Sequence, residues 1–315
     1  MLESFFWGVF GLILGSFANV LILRERSGLS MRGRSHCPRC GATLAWYELI
    51  PIVSFVIQKR RCRTCRGKIS WQYPLVEMLM AALVLIVGLS PVPLIEKCLA
   101  IFISLMLASI AVYDLQTTLI PDRWVYLFGV LAFMLGALSM PTRNTHEFLW
   151  FFLSGPGVAL PLVALWFFSD GRWMGLGDGK LVLGFGWLLG IFGAYVALFL
   201  AFVIGAVVSV FILLPLPYYA RVFKTIRGFT QTPMLSLPLF FGIFRASAPI
   251  NMNYENDVLI PSGGRKTRTA LVSGFTMHSE VPFGPFLIVS LCILWLSALY
   301  DIAIPELVLR YLTLY

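Results

Sequence analysis

Charge is what this sequence has least of. Only 12% of its 315 residues are Asp, Glu, Lys or Arg, and 59% are hydrophobic. Ordinary soluble domains carry about twice that charge fraction, so a soluble globular class is excluded. Acids are scarcer than bases, 15 against 24, giving a formal net charge of +9. Histidine is nearly missing, with three in the chain. His36 sits beside a cysteine pair, and His146 and His278 fall in loops, so no Ser–His arrangement is available. The first apolar segment, 5–23, has no basic region before it and no small-residue cleavage site after it. It reads as a retained helix and not as a signal peptide.

What the chain does have is long apolar runs. They predict spans at 5–23, 74–89, 94–113, 124–140, 148–168 and 285–302. The run 181–214 is too long for one helix and too short for two full spans plus a loop, so Gly190 and Gly193 are expected to mark a turn. Gly155, Pro156, Gly157 and Pro161 imply a bend in the fifth span. The expected fold is an all-α polytopic membrane protein with about eight transmembrane helices and both termini outside. The expected divisions are a first transmembrane helix (1–23), a cytoplasmic zinc-binding domain (24–73), a membrane-embedded core (74–214), an extended cytoplasmic loop (215–284), and a last helix with the C-terminus (285–315). Basic residues crowd into 24–73 and again into 215–284, which assigns both islands to the cytoplasm. That surface suits anionic lipid headgroups. Residues 46–57 are apolar enough to lie on the membrane surface and too short to cross it. Cys98 and Cys292 lie in apolar runs and are expected to be packed thiols.

The other four cysteines form two knuckles, Cys37-Pro38-Arg39-Cys40 and Cys62-Arg63-Thr64-Cys65. Two Cys-x-x-Cys pairs at this separation have the spacing of a tetrahedral four-thiolate zinc site. A closed site of that kind leaves no position for water, so the expected zinc is structural. A redox pair is the lesser alternative, disfavoured by a reducing cytoplasm.

Chemistry is carried by acids at membrane boundaries, where a carboxylate needs a reason to be. Asp178 lies in Gly175-Leu176-Gly177-Asp178-Gly179-Lys180, between two apolar segments. A Gly-rich turn with Asp178 capping the next helix explains it without function; glycines that leave room for an extended peptide explain it with one. Asp114 comes at the end of a span, where the helix dipole disfavours an anion. Asp122, near the start of the next span, is in a position the dipole favours. Counting spans puts Asp114 and Asp178 on one membrane face, and the contrast in helix polarity makes Asp114 the partner of Asp178. Such a pair shares one proton: the anion activates water and the neutral acid polarises a carbonyl. Glu77, one turn inside the second span, requires neutralisation, a partner or a polar cavity. Ser16 and Asn19 share a face of the first span and form a packing or substrate-facing seam.

Taken in order, Gly15-Ser16-Phe17-Ala18-Asn19-Val20, the two cysteine knuckles, Tyr73-Pro74-Leu75-Val76-Glu77, Asp114 through Ile120-Pro121-Asp122, Gly175 to Lys180 and Pro282-Phe283-Gly284-Pro285 resemble the type IV prepilin peptidases, a group of Gly-x-Gly-Asp intramembrane aspartyl proteases. The resemblance implies an enzyme of the bacterial inner membrane. It would cut the basic leader from type IV prepilins and type II secretion pseudopilins on the cytoplasmic side. It also implies N-methylation of the new terminus with S-adenosylmethionine, although no motif marks a methyl-donor site. Catalysis then falls to Asp114 and Asp178, with Gly175, Gly177, Lys180, Asp122, Glu77 and Asn19 in support and Cys37, Cys40, Cys62 and Cys65 as metal ligands. Expected partners are the prepilins and pseudopilins, membrane lipid, and the pilus or type II secretion machinery, and no nucleic acid. Two other readings suit part of the same pattern: a Gly-x-Gly-Asp protease with other substrates, and a non-catalytic zinc-ribbon assembly factor. The polar stretch before Pro282 is longer than the family usually has, and its apolar patch 234–244 suits a position along the membrane.

Overall fold

The computed structural model describes residues 1–139, 145–213, 252–255, 258–261 and 282–300. The patch 234–244, most of the island 215–284 and the C-terminal residues 301–315 lie outside them. The helices are α1 (Leu2–Ser27), α2 (Val53–Ile57), α3 (Gln72–Leu89), α4 (Leu94–Thr117), α5 (Asp122–Leu138), α6 (Thr145–Phe168), α7 (Leu176–Val208) and α8 (Gly284–Ala298). A single 3-10 turn, Trp46–Leu49, precedes α2, and a π-turn, Ser209–Leu213, extends α7. Among the described residues, the strands that depart from an all-helical chain form a small antiparallel ribbon, β1 (Met252–Glu255) with β2 (Val258–Pro261).

Helices α1, α3, α4, α6 and α7 are long and apolar enough to cross a membrane. At 17 and 15 residues, α5 and α8 are shorter but equally apolar. By length α7 and its π-turn would make one 36-residue span. Its contacts divide it. Gly190 has φ 69° and ψ 175°, a backbone conformation open in practice to glycine alone. Before it, α6 and α7 run antiparallel, with Gly179 against Val163 and Gly186 against Ser154. After it, Ile191 and Tyr195 both return to Gly157. Farther on, Phe202 and Gly205 reach Phe283 at the start of α8, beside Asp114. The chain therefore reverses at Gly190, and α7 is two limbs, 176–189 and 191–208. With α1, α3, α4, α5, α6 and α8 they make eight apolar helical passes among the described residues, in line with the expectation of about eight. Gly193 takes no part in the turn; it is buried in the second limb, close against Leu189.

Prolines 156 and 161 sit inside α6 instead of breaking it. Each lacks an N–H, which leaves the carbonyl four residues earlier without its helical donor. For Pro156 that is Phe152 O, and Trp187 Nε1 donates to it at 3.3 Å. For Pro161 it is Gly157 O, and Tyr195 Oη donates to it at 3.0 Å. Donors from the two limbs of α7 thus satisfy both carbonyls where lipid offers none.

Close backbone approach also joins α1 to α3. A Cβ on Gly11 would lie 2.6 Å from Ala81 Cα, and one on Gly15 would lie 2.5 Å from Glu77 Cα. The interior helix is α4, with 61% of its apolar window buried against 28% to 39% for the other four. Cys98, near its start, is exposed and is not the packed thiol expected; Cys292 is partly buried. At the far end of α4, Arg26 on α1 donates to Gln116 Oε1 at 3.2 Å, so both helices end together.

Candidate active site

Asp114 occupies the last turn of α4 and is 3% exposed. Its backbone carbonyl accepts from Thr118 N–H at 2.8 Å, and Thr118 closes the helix in the left-handed conformation with φ 55°. The side chain has no capping role there, since a helix C-terminus repels an anion. The carboxylate instead lies against the start of α8. A Cβ on Gly284 would come 2.5 Å from Asp114 Oδ2, and the Gly284 amide faces the carboxylate. Oδ2 is buried with no hydrogen-bond partner among the described residues.

Asp178 lies in the first turn of α7, three residues after the N-cap Gly175. Its own N–H donates to Gly175 O at 3.3 Å, and its carboxylate reaches back toward the Gly175 amide. The carboxylate thus stands where the acidic arm of a capping box would, 3.5 Å from a Cβ placed on Gly175, but no side-chain cap hydrogen bond closes there. Its carboxylate is also an electrostatic neighbour of Asp114. The α4–α5 loop lies over both. A Cβ on Gly177 would lie 3.1 Å from Ile120 Cβ, and one on Gly284 would lie 3.3 Å from Ile120 Cδ1. Ile120 therefore occupies the space beside Gly177 that an extended peptide was expected to use. Gly179 likewise packs on Val163 of α6, 3.1 Å from a built Cβ. The glycines admit neighbouring protein, and Gly175 admits the Asp178 carboxylate itself.

The remaining candidates separate from this pair. Asp122 begins α5 and is 58% exposed; it accepts from Lys180 Nζ at 2.7 Å. Lys180 also lies 5.5 Å from the Tyr126 ring centroid. Asn19 is buried and donates to Gly15 O at 3.2 Å and to Tyr73 O at 3.1 Å, tying α1 to the start of α3. Glu77 is buried, and its Oε2 accepts from Ile52 N–H at 2.8 Å. Asn19 and Glu77 thus hold a joint between α1, α3 and the cysteine domain. Gly284 and Ile120, which wall the aspartates, were not among the predicted site residues. Gly284 stands in Pro282-Phe283-Gly284-Pro285 and Ile120 in Ile120-Pro121-Asp122, but neither motif indicates contact with an aspartate.

The four expected metal ligands converge. The sulfurs of Cys37, Cys40, Cys62 and Cys65 all lie within 4.8 Å of one another. Two equivalent knuckles hold them. Cys37 N–H donates to Ala42 O, and Cys62 N–H donates to Gly67 O, each at 2.9 Å. Bridges His36–Thr43 and Arg61–Lys68 close the two turns. Gly41 and Arg66, at corresponding positions, are both left-handed, with φ 72° and 52°. Burial pushes the Cys37 thiol up to about 12, while the amides of Cys65 and Thr64 draw Cys62 down to about 7. A divalent cation is the group that would ionise the whole set, and four converging sulfurs fit zinc.

The match to known proteins follows this division. Residues 9–90, with the cysteines, match the bacterial peptidase A24 N-terminal domain, and residues 100–210, with both aspartates, match the type IV leader peptidase family. A prepilin leader peptidase/N-methyltransferase of Bacillus subtilis is 36% identical over 200 residues, 63% of this chain and 78% of that protein. One from Klebsiella pneumoniae is 32% identical over 209 residues, 59% of this chain and 86% of that protein. One from Myxococcus xanthus is 51% identical over 83 residues, 26% of this chain and 25% of that protein. No solved structure matches the chain. By the coverage of these relatives and the order of the two matched domains, the chain belongs to the type IV leader peptidase family.

Proposed function

We propose that this chain is an aspartic endopeptidase that removes the leader from type IV prepilins and pseudopilins, and that it also N-methylates the terminus it exposes. The observation carrying this reading is the convergence of two buried carboxylates, Asp114 and Asp178, at one end of the helical bundle beneath Gly284 and Ile120. The names of its relatives support the substrate and the second activity.

The chemistry follows from two carboxylates holding one proton. The ionised member takes a proton from water as its oxygen attacks the scissile carbonyl carbon. The neutral member gives its proton to the carbonyl oxygen, forming a tetrahedral diol. Collapse of the diol breaks the C–N bond. A proton passes to the departing amine, and the pair again holds one proton. Asp114 Oδ2, buried and without a hydrogen-bond partner among the described residues, is the oxygen suited to hold that water or the diol. Asp178, buried in the first turn of α7, lies beside Gly175 and is the second carboxylate of the pair.

The distribution of basic residues supports a site at the cytoplasmic face of the inner membrane. The helix ends around it carry Arg24, Arg26 and Arg123, and the cysteine domain on the same side carries Lys59, Arg60, Arg61, Arg63 and Arg66. Zinc held by the four cysteines would fix the knuckles and supply no reaction step. S-adenosylmethionine would supply the methyl group. A cavity of about 400 Å³ between the end of α1 and the start of α5 is lined by Arg24, Glu25, Gly28, Leu29, Pro121, Asp122 and Arg123. It offers no aromatic face for an adenine, so no residue is assigned to the donor. The reading is tested by incubating the purified full chain with a prepilin in detergent and determining the mass of the product. Loss of the leader supports it; an intact prepilin refutes it.

A further inference from the structure

The cysteine domain carries an apolar surface that its own fold leaves open. Trp46 is 76% exposed, Val56 65% and Ile57 74%. All three lie in the 3-10 turn and α2, between the two knuckles. This segment is fastened to the membrane bundle at its middle. Ile52, whose backbone has an unfavourable positive φ of 60°, donates its N–H to Glu77 on α3. Phe55 packs against Trp71, the residue preceding α3, with ring centroids 5.1 Å apart and the planes tilted by 54°.

That joint sets a depth. Glu77 is the sixth residue of α3, five after Gln72, so its Cα lies about 7.5 Å along the helix from the cytoplasmic end of α3, and its side chain, leaning back toward that end, meets Ile52 within that depth. Apolar faces of interfacial segments settle about 5–10 Å into the headgroup and acyl boundary. The charge around the segment agrees with this depth. Lys59, Arg60 and Arg61 follow it directly, Arg60 lies over the Trp71 ring at 5.4 Å, and Arg63 donates to Tyr47 Oη at 2.7 Å. Cations stacked on interfacial aromatics above an apolar patch match a layer of anionic headgroups over acyl chains.

We propose that residues 46–57 are a membrane foot of the cysteine domain, seated in the cytoplasmic interface of anionic phospholipid, with Glu77 as the latch that fixes its depth. The foot holds the cysteine domain against the bundle at the end where Asp114 and Asp178 lie. Its occupant is lipid, and neither a second copy of the chain nor another protein. The inference does not depend on the peptidase reading.

The test uses the full chain in nanodiscs of phosphatidylglycerol and phosphatidylcholine containing a phospholipid with a photoactivatable acyl chain. After illumination, adducts are mapped by peptide mass spectrometry. Adducts are expected within 46–57 at a yield comparable to that on lipid-facing residues of α1. They should fall at least threefold in Val56→Asp/Ile57→Asp, and also in Glu77→Val, while Glu77→Gln, which keeps an acceptor for Ile52, stays near wild type. Adducts confined to the spans would overturn the proposal. So would intermolecular cross-links through 46–57 in place of lipid adducts.

Discussion

Gly284→Ala isolates the geometry of the aspartates from their chemistry, because it leaves both carboxylates in place. The new Cβ would stand 2.5 Å from Asp114 Oδ2 and 3.3 Å from Ile120 Cδ1. Restoring an ordinary 3.4 Å contact requires a relative displacement of about 0.9 Å between the carboxylate and α8. Neither partner yields easily: Asp114 is buried at the end of the interior helix, and Gly284 opens a helix whose next residue is Pro285. Overpacking of this size costs about 1–3 kcal/mol, and a misplacement near 1 Å in a catalytic array costs about 100-fold in rate. Initial rates of prepilin cleavage by the purified variant in detergent, with thermal unfolding alongside, measure both. Gly8→Ala is the control, since a Cβ there meets nothing within 4 Å. Gly284→Ala should lose about two orders of magnitude in kcat and remain folded. A variant that cleaves within twofold of wild type would refute the assignment of Gly284 as a wall of the site.

Other consequences follow from separate parts of the molecule. Gly190→Ala forces a side chain into a conformation with φ 69° and should lower stability by about 1–3 kcal/mol, read from thermal unfolding in detergent. Tyr195→Phe removes the donor to Gly157 O and should cost about 1 kcal/mol by the same assay, because a carbonyl already freed by Pro161 loses its replacement donor in an apolar span. Fresh protein should contain about one zinc per chain by metal analysis, and Cys62→Ser should lower that content. In metal-free protein, lowering the pH through about 7 protonates Cys62, and Cys37 holds its proton well above that, so zinc rebinding should weaken progressively below about pH 7 in a competition titration.

Much of the fold was legible because membrane spans declare themselves by composition. The expected and observed ends of α3, α6 and α8 agree within a few residues at the described boundaries, and Gly190 marked the reversal. Gly193 could not be told from it, since the difference is a backbone angle set by packing. The cysteine site was legible from spacing, because metal-ligand geometry constrains sequence directly. Asp114 and Asp178 were paired by counting spans and by helix polarity. What stayed hidden was what fills the space between elements distant in sequence. Nothing local indicates that Gly284 abuts Asp114 across 170 residues, or that Ile120 covers Gly177. Nor does sequence show that Trp187 and Tyr195 serve the carbonyls freed by Pro156 and Pro161, although two prolines within one span posed that question.

The central claim is that Asp114 and Asp178 together carry out peptide cleavage. It is tested most directly by cleavage of a prepilin by purified Asp114→Ala and Asp178→Ala proteins, each compared with the wild-type chain under identical conditions. Residues that act as a unit should each be indispensable, so either substitution is predicted to reduce the rate by at least about 1,000-fold. Cleavage near the wild-type rate by either variant would contradict the account.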